Sequence, residues 1–247
     1  MATGKCLAFY EGNFLVKTLS TDDEREQAYR LRHKVFAERL KWVKESPDEL
    51  EIDAYDRLAT NLGLFTESGK LCGISRLLSG TGPYMLEKEF KSFLTGATPV
   101  RKERDAAEIT RLTVDPMIQE KGLSSRMMLA IFKGIYQWSL LNEVRYCYMV
   151  VEKRFLRVLR VLGFPCEPIS PYIALPPADA LSVAALLDWD RFRAEIHTTH
   201  PGFLDWISAI EVTTQVLGTA ASRKWAASFK GTASMAMEKT DEQLVVV

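Results

Sequence analysis

The segment Glu51-Ile52-Asp53-Ala54-Tyr55-Asp56 sets Asp53 and Asp56 three residues apart, close enough to share one face of a helical turn. Two acids so placed, with no fixed metal, usually oppose a cation. Arg32, Arg76 and Arg111 are available as partners, and Phe36 and Trp42 give the charges an apolar wall. The plain alternative is a solvated charged loop. A second cluster, Gln119-Glu120-Lys121-Gly122-Leu123-Ser124, places a glycine just ahead of a helix. The N–H groups of a first helical turn point at an anion above them, so the cluster reads as a phosphate seat or as a simple turn. Lys153, Arg154, Arg157 and Arg160 form a third group at i, i+1, i+4 and i+7 of one helix. They make a basic ridge for an acidic partner, or a solvated face.

Metal chemistry is not expected. Cys6, Cys72, Cys147 and Cys166 have no CxxC spacing, and His197 and His200 precede Pro201 without the carboxylate of an HExxH pattern. That pair reads as a helix end.

The elements that position these residues follow from pattern. Thr21 and Glu24 have capping-box spacing ahead of a helix carrying Ala28, Leu31, Val35 and Phe36. Residues 61–65 and 71–78 read as a hairpin around Glu67-Ser68-Gly69, and 79–107 as a loop with a short helix near Met85. Residues 107–114 are a β-branched central strand, followed by a helix from Leu123 to Leu141 whose Met127, Met128, Ile131, Ile135 and Trp138 face a core. A strand over 145–151 leads into the basic helix, which stops at Gly163. Residues 176–210 read as helical, in two pieces. This order predicts a mixed sheet with helices packed on it. Strict alternation along the central strand sets Glu108 and Arg111 on opposite faces, and a β-bulge near Thr110 would bring both to one pocket.

With 247 residues, 47% hydrophobic, and 32 basic against 32 acidic side chains, the chain is long enough for one sizeable domain. Its composition excludes wholesale disorder. Zero net charge argues against a general nucleic-acid binder. No window reaches about 18 apolar residues, so no membrane span is expected and the reading is cytoplasmic. The domain is expected over 7–212, with a partly ordered tail over 213–247.

The ordered set Arg32, Phe36, Trp42, Asp53, Asp56, Arg76, Glu108 and Arg111 resembles the signature of the acyl-homoserine-lactone synthases, the autoinducer synthase family. The Gln119–Ser124 turn likewise resembles the carrier-binding turn of acetyltransferases. The resemblance implies an α/β, acetyltransferase-like (GNAT) fold with a mixed, mostly antiparallel central sheet flanked by helices. It implies acyl transfer from acyl-carrier protein or acyl-CoA to the amine of S-adenosylmethionine, a substrate and not a cofactor, then lactonisation with loss of methylthioadenosine. Glu108, Arg111, Asp53 and Arg76 would be catalytic. Arg32, Phe36, Trp42, Asp53 and Asp56 would hold S-adenosylmethionine, although Arg32 and Arg111 could equally be structural partners of Asp53 and Glu108. Gln119, Lys121, Gly122, Ser124, Lys153, Arg154 and Arg157 would meet the acyl carrier. Met149 and Leu112 would line the acyl-chain pocket, Met149 standing where members preferring 3-oxo chains carry threonine. The region beyond 176 exceeds the family's common length. That keeps two other readings open: a related acyltransferase acting on a free amino acid or accompanying exosortase systems, and a non-catalytic carrier-binding module.

Overall fold

The computed structural model describes residues 5–94, 99–118, 122–177 and 179–210; the expected tail and the positions Gln119 and Lys121 lie outside them. An N-terminal hairpin, β1 (Ala8–Glu11) and β2 (Phe14–Thr18), precedes α1 (Asp22–Arg32). The Thr21 side chain accepts from the Glu24 N–H, and Glu24 reaches back to the Thr21 N–H, closing the capping box. The helix continues as a π-helical stretch, His33–Arg39, which seats Val35, Phe36 and Ala37 in the interior.

Strands β3 (Thr60–Phe65), β4 (Leu71–Ser79) and β5 (Ala106–Val114) run antiparallel. Between β4 and β5 lies the short helix α2 (Met85–Lys88). Then come α3 (Leu123–Leu141), β6 (Tyr146–Glu152), α4 (Lys153–Val161), and two short strands, β7 (Glu167–Pro168) and β8 (Ile173–Leu175). Strand β9 (Ala180–Asp188) and helices α5 (Trp189–Thr199) and α6 (Pro201–Ser208) complete the described chain. The sheet order is β1-β2-β3-β4-β5-β6-β9-β7, with β8 also on β9. Among the described residues only β5 and β6 pair in parallel, from Ala106↔Tyr146 to Glu108↔Tyr148; beyond that the two strands part.

One expectation is overturned. Residues 180–188 are strand, not helix, because ALSVAALLD lies between β6 and the β7–β8 edge and makes its hydrogen bonds across the sheet. Its Ala and Leu content suits either structure, and tertiary pairing decides. The helix begins only at Trp189, where the Asp188 carboxylate accepts from the Asp190 and Arg191 N–H groups. The main core lies between the sheet and α3–α6, and Met127, Met128, Ile131, Ile135 and Trp138 are all buried in it. No helix among the described residues is long and apolar enough to cross a membrane.

Candidate active site

The predicted bulge is present in β5. Between Arg76↔Thr110 and Ile74↔Thr113 the strand β4 advances two residues and β5 three, with Arg111 in the left-handed region at φ 51°. The extra residue resets the alternation, so the side chains of Glu108, Thr110 and Arg111 all reach the face covered by the 33–56 segment and α2. Ile109 and Leu112 turn the other way, into the main core.

On the first face the three arginines meet three carboxylates. Arg32, wholly buried, donates through Nε to Glu51 and through Nη1 and Nη2 to Asp56 at 2.5 and 3.1 Å. Arg76 donates through Nη1 to Asp53 at 2.6 Å and to Asp56 at 3.1 Å, and through Nε to the Thr110 hydroxyl at 3.0 Å. Arg111 donates through Nε and Nη2 to Glu51 at 3.2 and 2.9 Å. Asp56 is fixed further by accepting from the Asp53 N–H at 2.8 Å. Burial opposes the charged forms of Glu51 and Asp56, but the guanidinium groups outweigh it and hold both carboxyls below the usual range.

Three polar groups are left with poor partners or none. Arg76 Nη2 and Arg111 Nη1 reach only the Met85 thioether, at 3.0 and 3.9 Å. Asp53 Oδ2 is buried with no hydrogen bond, 3.6 Å from Arg111 Nη2. Thioether sulfur is a weak acceptor, so this corner retains donor and acceptor capacity for a charged ligand. Phe36 lies beneath Arg111, ring centroid 5.3 Å from Cζ, and packs on half-buried Trp42 at 6.0 Å.

Glu108 stands where β5 and β6 begin to part. Both its oxygens accept backbone N–H groups of α2, Met85 at 2.6 Å and Leu86 at 2.9 Å. Burial pushes its carboxyl up to about 7, with those N–H groups and Arg76 pulling the other way. A carboxyl poised there can take a proton at neutral pH.

Arg32 is a strut between α1 and the 51–56 segment, since protein carboxylates occupy its donors. Glu51, which accepts from both Arg32 and Arg111, is the member of this cluster that motif reasoning missed. The signal was present in the count, three arginines facing two assigned acids with a third at Glu51. Asp115 was also missed: it accepts from Lys34 Nζ at 2.9 Å and from the Met117 N–H at 3.0 Å, tying the π-helical segment to the approach of α3. There Gly122 takes φ 75° and α3 starts without a side-chain cap, while the Ser124 hydroxyl donates to the Ile118 carbonyl at 3.3 Å. On α4, Lys153, Arg154, Arg157 and Arg160 are exposed above buried Phe155, Leu156 and Leu159. On the far face of the sheet, Leu112 and Met149 border one apolar cavity of about 10 Å³.

The mixed, mostly antiparallel sheet splits where β5 and β6 part, with Glu108 at the fork and the start of α3 after the central strand, which is the mixed α/β fold that the sequence resemblance implied. The autoinducer synthase family matches residues 16–195. An acyl-homoserine-lactone synthase of Aeromonas salmonicida is 35% identical over 193 residues, covering 76% of this chain and 91% of the relative. One of Rhizobium radiobacter is 32% identical over 200 residues, 76% and 92% of the two chains. The crystal structure of the AHL synthase LasI shares the fold, with TM-score 0.66, 22% identity, and 82% and 98% coverage. So does BjaI, a CoA-dependent acyl-homoserine lactone synthase solved with SAM and isopentyl-CoA, with TM-score 0.61, 23% identity, and 82% and 90% coverage. The chain belongs to the autoinducer synthase family.

Proposed function

We propose that the chain is an acyl-homoserine-lactone synthase, moving an acyl group from a carrier thioester to the amine of S-adenosylmethionine and then closing the lactone. The observation that carries this reading is the pairing of Glu108 at the strand fork with a buried three-arginine, three-carboxylate cluster whose Arg76, Arg111 and Asp53 keep groups to spare.

The acceptor brings a carboxylate, an α-ammonium and a sulfonium. Its carboxylate would replace the Met85 sulfur as partner of Arg76 Nη2 and Arg111 Nη1, a gain of two charge-assisted hydrogen bonds. Its ammonium is suited to Asp53 Oδ2, and Phe36 and Trp42 supply an apolar wall. Arg32 and Glu51 act as positioning residues, holding Asp56 and Arg111.

Glu108 takes the proton of the ammonium, directly or through one water, and the freed amine attacks the thioester carbonyl. The oxyanion is stabilised by β5 backbone N–H groups along the strand fork. Collapse breaks the C–S bond, and the proton on Glu108 leaves with the thiol. The acceptor carboxylate then attacks the methylene bound to the sulfonium, closing the ring as methylthioadenosine departs. The Gly122 turn and the start of α3 serve the carrier's phosphate, with Gln119, Lys121 and Ser124, and the α4 ridge serves an acidic carrier protein.

The test is mass spectrometry of the purified chain incubated with S-adenosylmethionine and acyl-CoA or acyl-carrier-protein thioesters. An acyl-homoserine lactone formed together with methylthioadenosine supports the reading. Thiol release only when a free amino acid is supplied would replace it with amino-acid N-acylation, and no turnover with any acceptor would favour a carrier-binding module.

A further inference from the structure

Ile109 and Met149, the first residues of β5 and β6 past their last pair, border the apolar cavity on the α3 side of the sheet, with Leu112 beside them. Phe164 and Trp189 also line it, their ring centroids 6.2 Å apart. Asp188, just before Trp189, pairs with Tyr146, at the opposite end of β6 from the fork. A chain entering at the fork therefore runs under β6 toward these two rings.

The walls of this cavity differ in how far they can give. Met149 and Leu159 carry no branch at Cβ, and small rotamer shifts let them admit a few methylenes. The aromatic end cannot recede. Trp189 packs on Tyr136 at 5.1 Å and Phe192 at 5.5 Å, while Phe164 packs on Phe192 at 5.2 Å and Phe203 at 5.7 Å. Gly163 at φ 91° turns Phe164 inward against this cluster, and the Trp189 backbone N–H donates to the Arg145 carbonyl at 3.0 Å. A carbonyl at the third carbon of the chain would fall near the entrance among Ile109, Leu112 and Met149, none of which can donate a hydrogen bond. The Trp189 indole Nε1 is a buried donor without a hydrogen-bond partner, but Trp189 follows Asp188, whose register with Tyr146 sets it toward the opposite end of β6 from the fork.

Building on the proposed synthase reading, we infer that the acyl donor is a short, unsubstituted chain, butanoyl or hexanoyl, and that Trp189 and Phe164 set its length. The free space of about 10 Å³ is room for one water, so each added methylene must be accommodated by wall movement. An unpaired 3-oxo group would be buried without a partner.

The experiment measures kcat/KM of the purified full chain with S-adenosylmethionine and butanoyl, hexanoyl, octanoyl, decanoyl and 3-oxohexanoyl thioesters of CoA and of acyl-carrier protein. Butanoyl or hexanoyl should exceed decanoyl, and hexanoyl should exceed 3-oxohexanoyl, each by about 10-fold or more. Trp189→Phe and Phe164→Leu should move the optimum toward octanoyl. Decanoyl or 3-oxohexanoyl used as well as hexanoyl by the wild type overturns the chain assignment while the synthase reading stands; this comparison decides even where a variant fails to fold. No lactone from any donor overturns both. An unchanged length profile in folded variants removes the role given to the two rings.

Discussion

Glu108 and Glu51 lie on one face of the sheet, yet their surroundings push them in opposite directions. Burial outweighs the two backbone N–H groups at Glu108 and raises it to about 7, whereas Arg111 and Arg32 keep Glu51 ionised despite burial. If Glu108 is the base, kcat/KM should rise with pH through a limb near 7, reported by a pH–rate profile of the wild type. Glu108→Gln should lose that limb and about 10²–10⁴-fold in rate. Glu51→Ala leaves Arg32 and Arg111 short of their shared carboxylate. It should destabilise the fold by about 3–5 kcal/mol in urea titration, the cost of breaking a buried ion network from one side. A loss under about 1 kcal/mol would mean that water reaches the cluster.

The elements that carry these residues were unevenly legible in the sequence. The capping box at Thr21, the β3–β4 hairpin, the β5 strand and the α3 stripe follow from local rules, and the structure has all four. The bulge was legible only as a conflict, since Glu108 and Arg111 had to share a pocket that alternation denied them, and Arg111 at φ 51° resolves it. Strand β9 was not legible, because the run from Ala180 to Asp188 owes its conformation to β6, a partner some 35 residues earlier in sequence. Nor could spacing show that Asp53 Oδ2 is the carboxylate oxygen left without a hydrogen bond; that depends on where Arg76 and Arg111 converge. On α4, reversing Lys153 and Arg157 together to Glu should raise KM for acyl-carrier protein by about 10-fold at low salt. It should leave KM for acyl-CoA nearly unchanged, as steady-state kinetics with both donors would show. Equal effects on both donors would place the ridge's role at the thioester itself.

At the scale of the whole molecule, the charges make stability depend on pH in two directions. Glu51 and Asp56, held below their usual range, stabilise the fold above the unfolded carboxylate range, and that contribution is lost as pH falls through their folded values. Glu108, raised from 4.5 to about 7, contributes stability below the unfolded value that is lost as pH rises through 7, about 3 kcal/mol in all. Thermal melts should therefore peak in mildly acidic buffer, and Glu108→Gln should flatten the decline toward pH 8. Helix α6 lies past the family match, yet it packs into the core. Phe203 and Ile207 are buried, Gln137 donates to the Ile207 carbonyl at 2.6 Å, and Trp206 donates to Glu11 at 3.0 Å, which also accepts from Lys133. Phe203→Ala should cost about 3–5 kcal/mol, measured by denaturant unfolding, although it touches no proposed substrate group. The Glu51 N–H donates to the Tyr29 carbonyl and its side chain spans Arg32 and Arg111, so the 51–56 segment is anchored at both α1 and β5. The 51–56 segment should therefore belong to the cooperative unit that unfolds last. Its amides should exchange with deuterium only as the whole domain opens, so a mutation that loosens the distant core would also shorten the lifetime of the substrate-competent state.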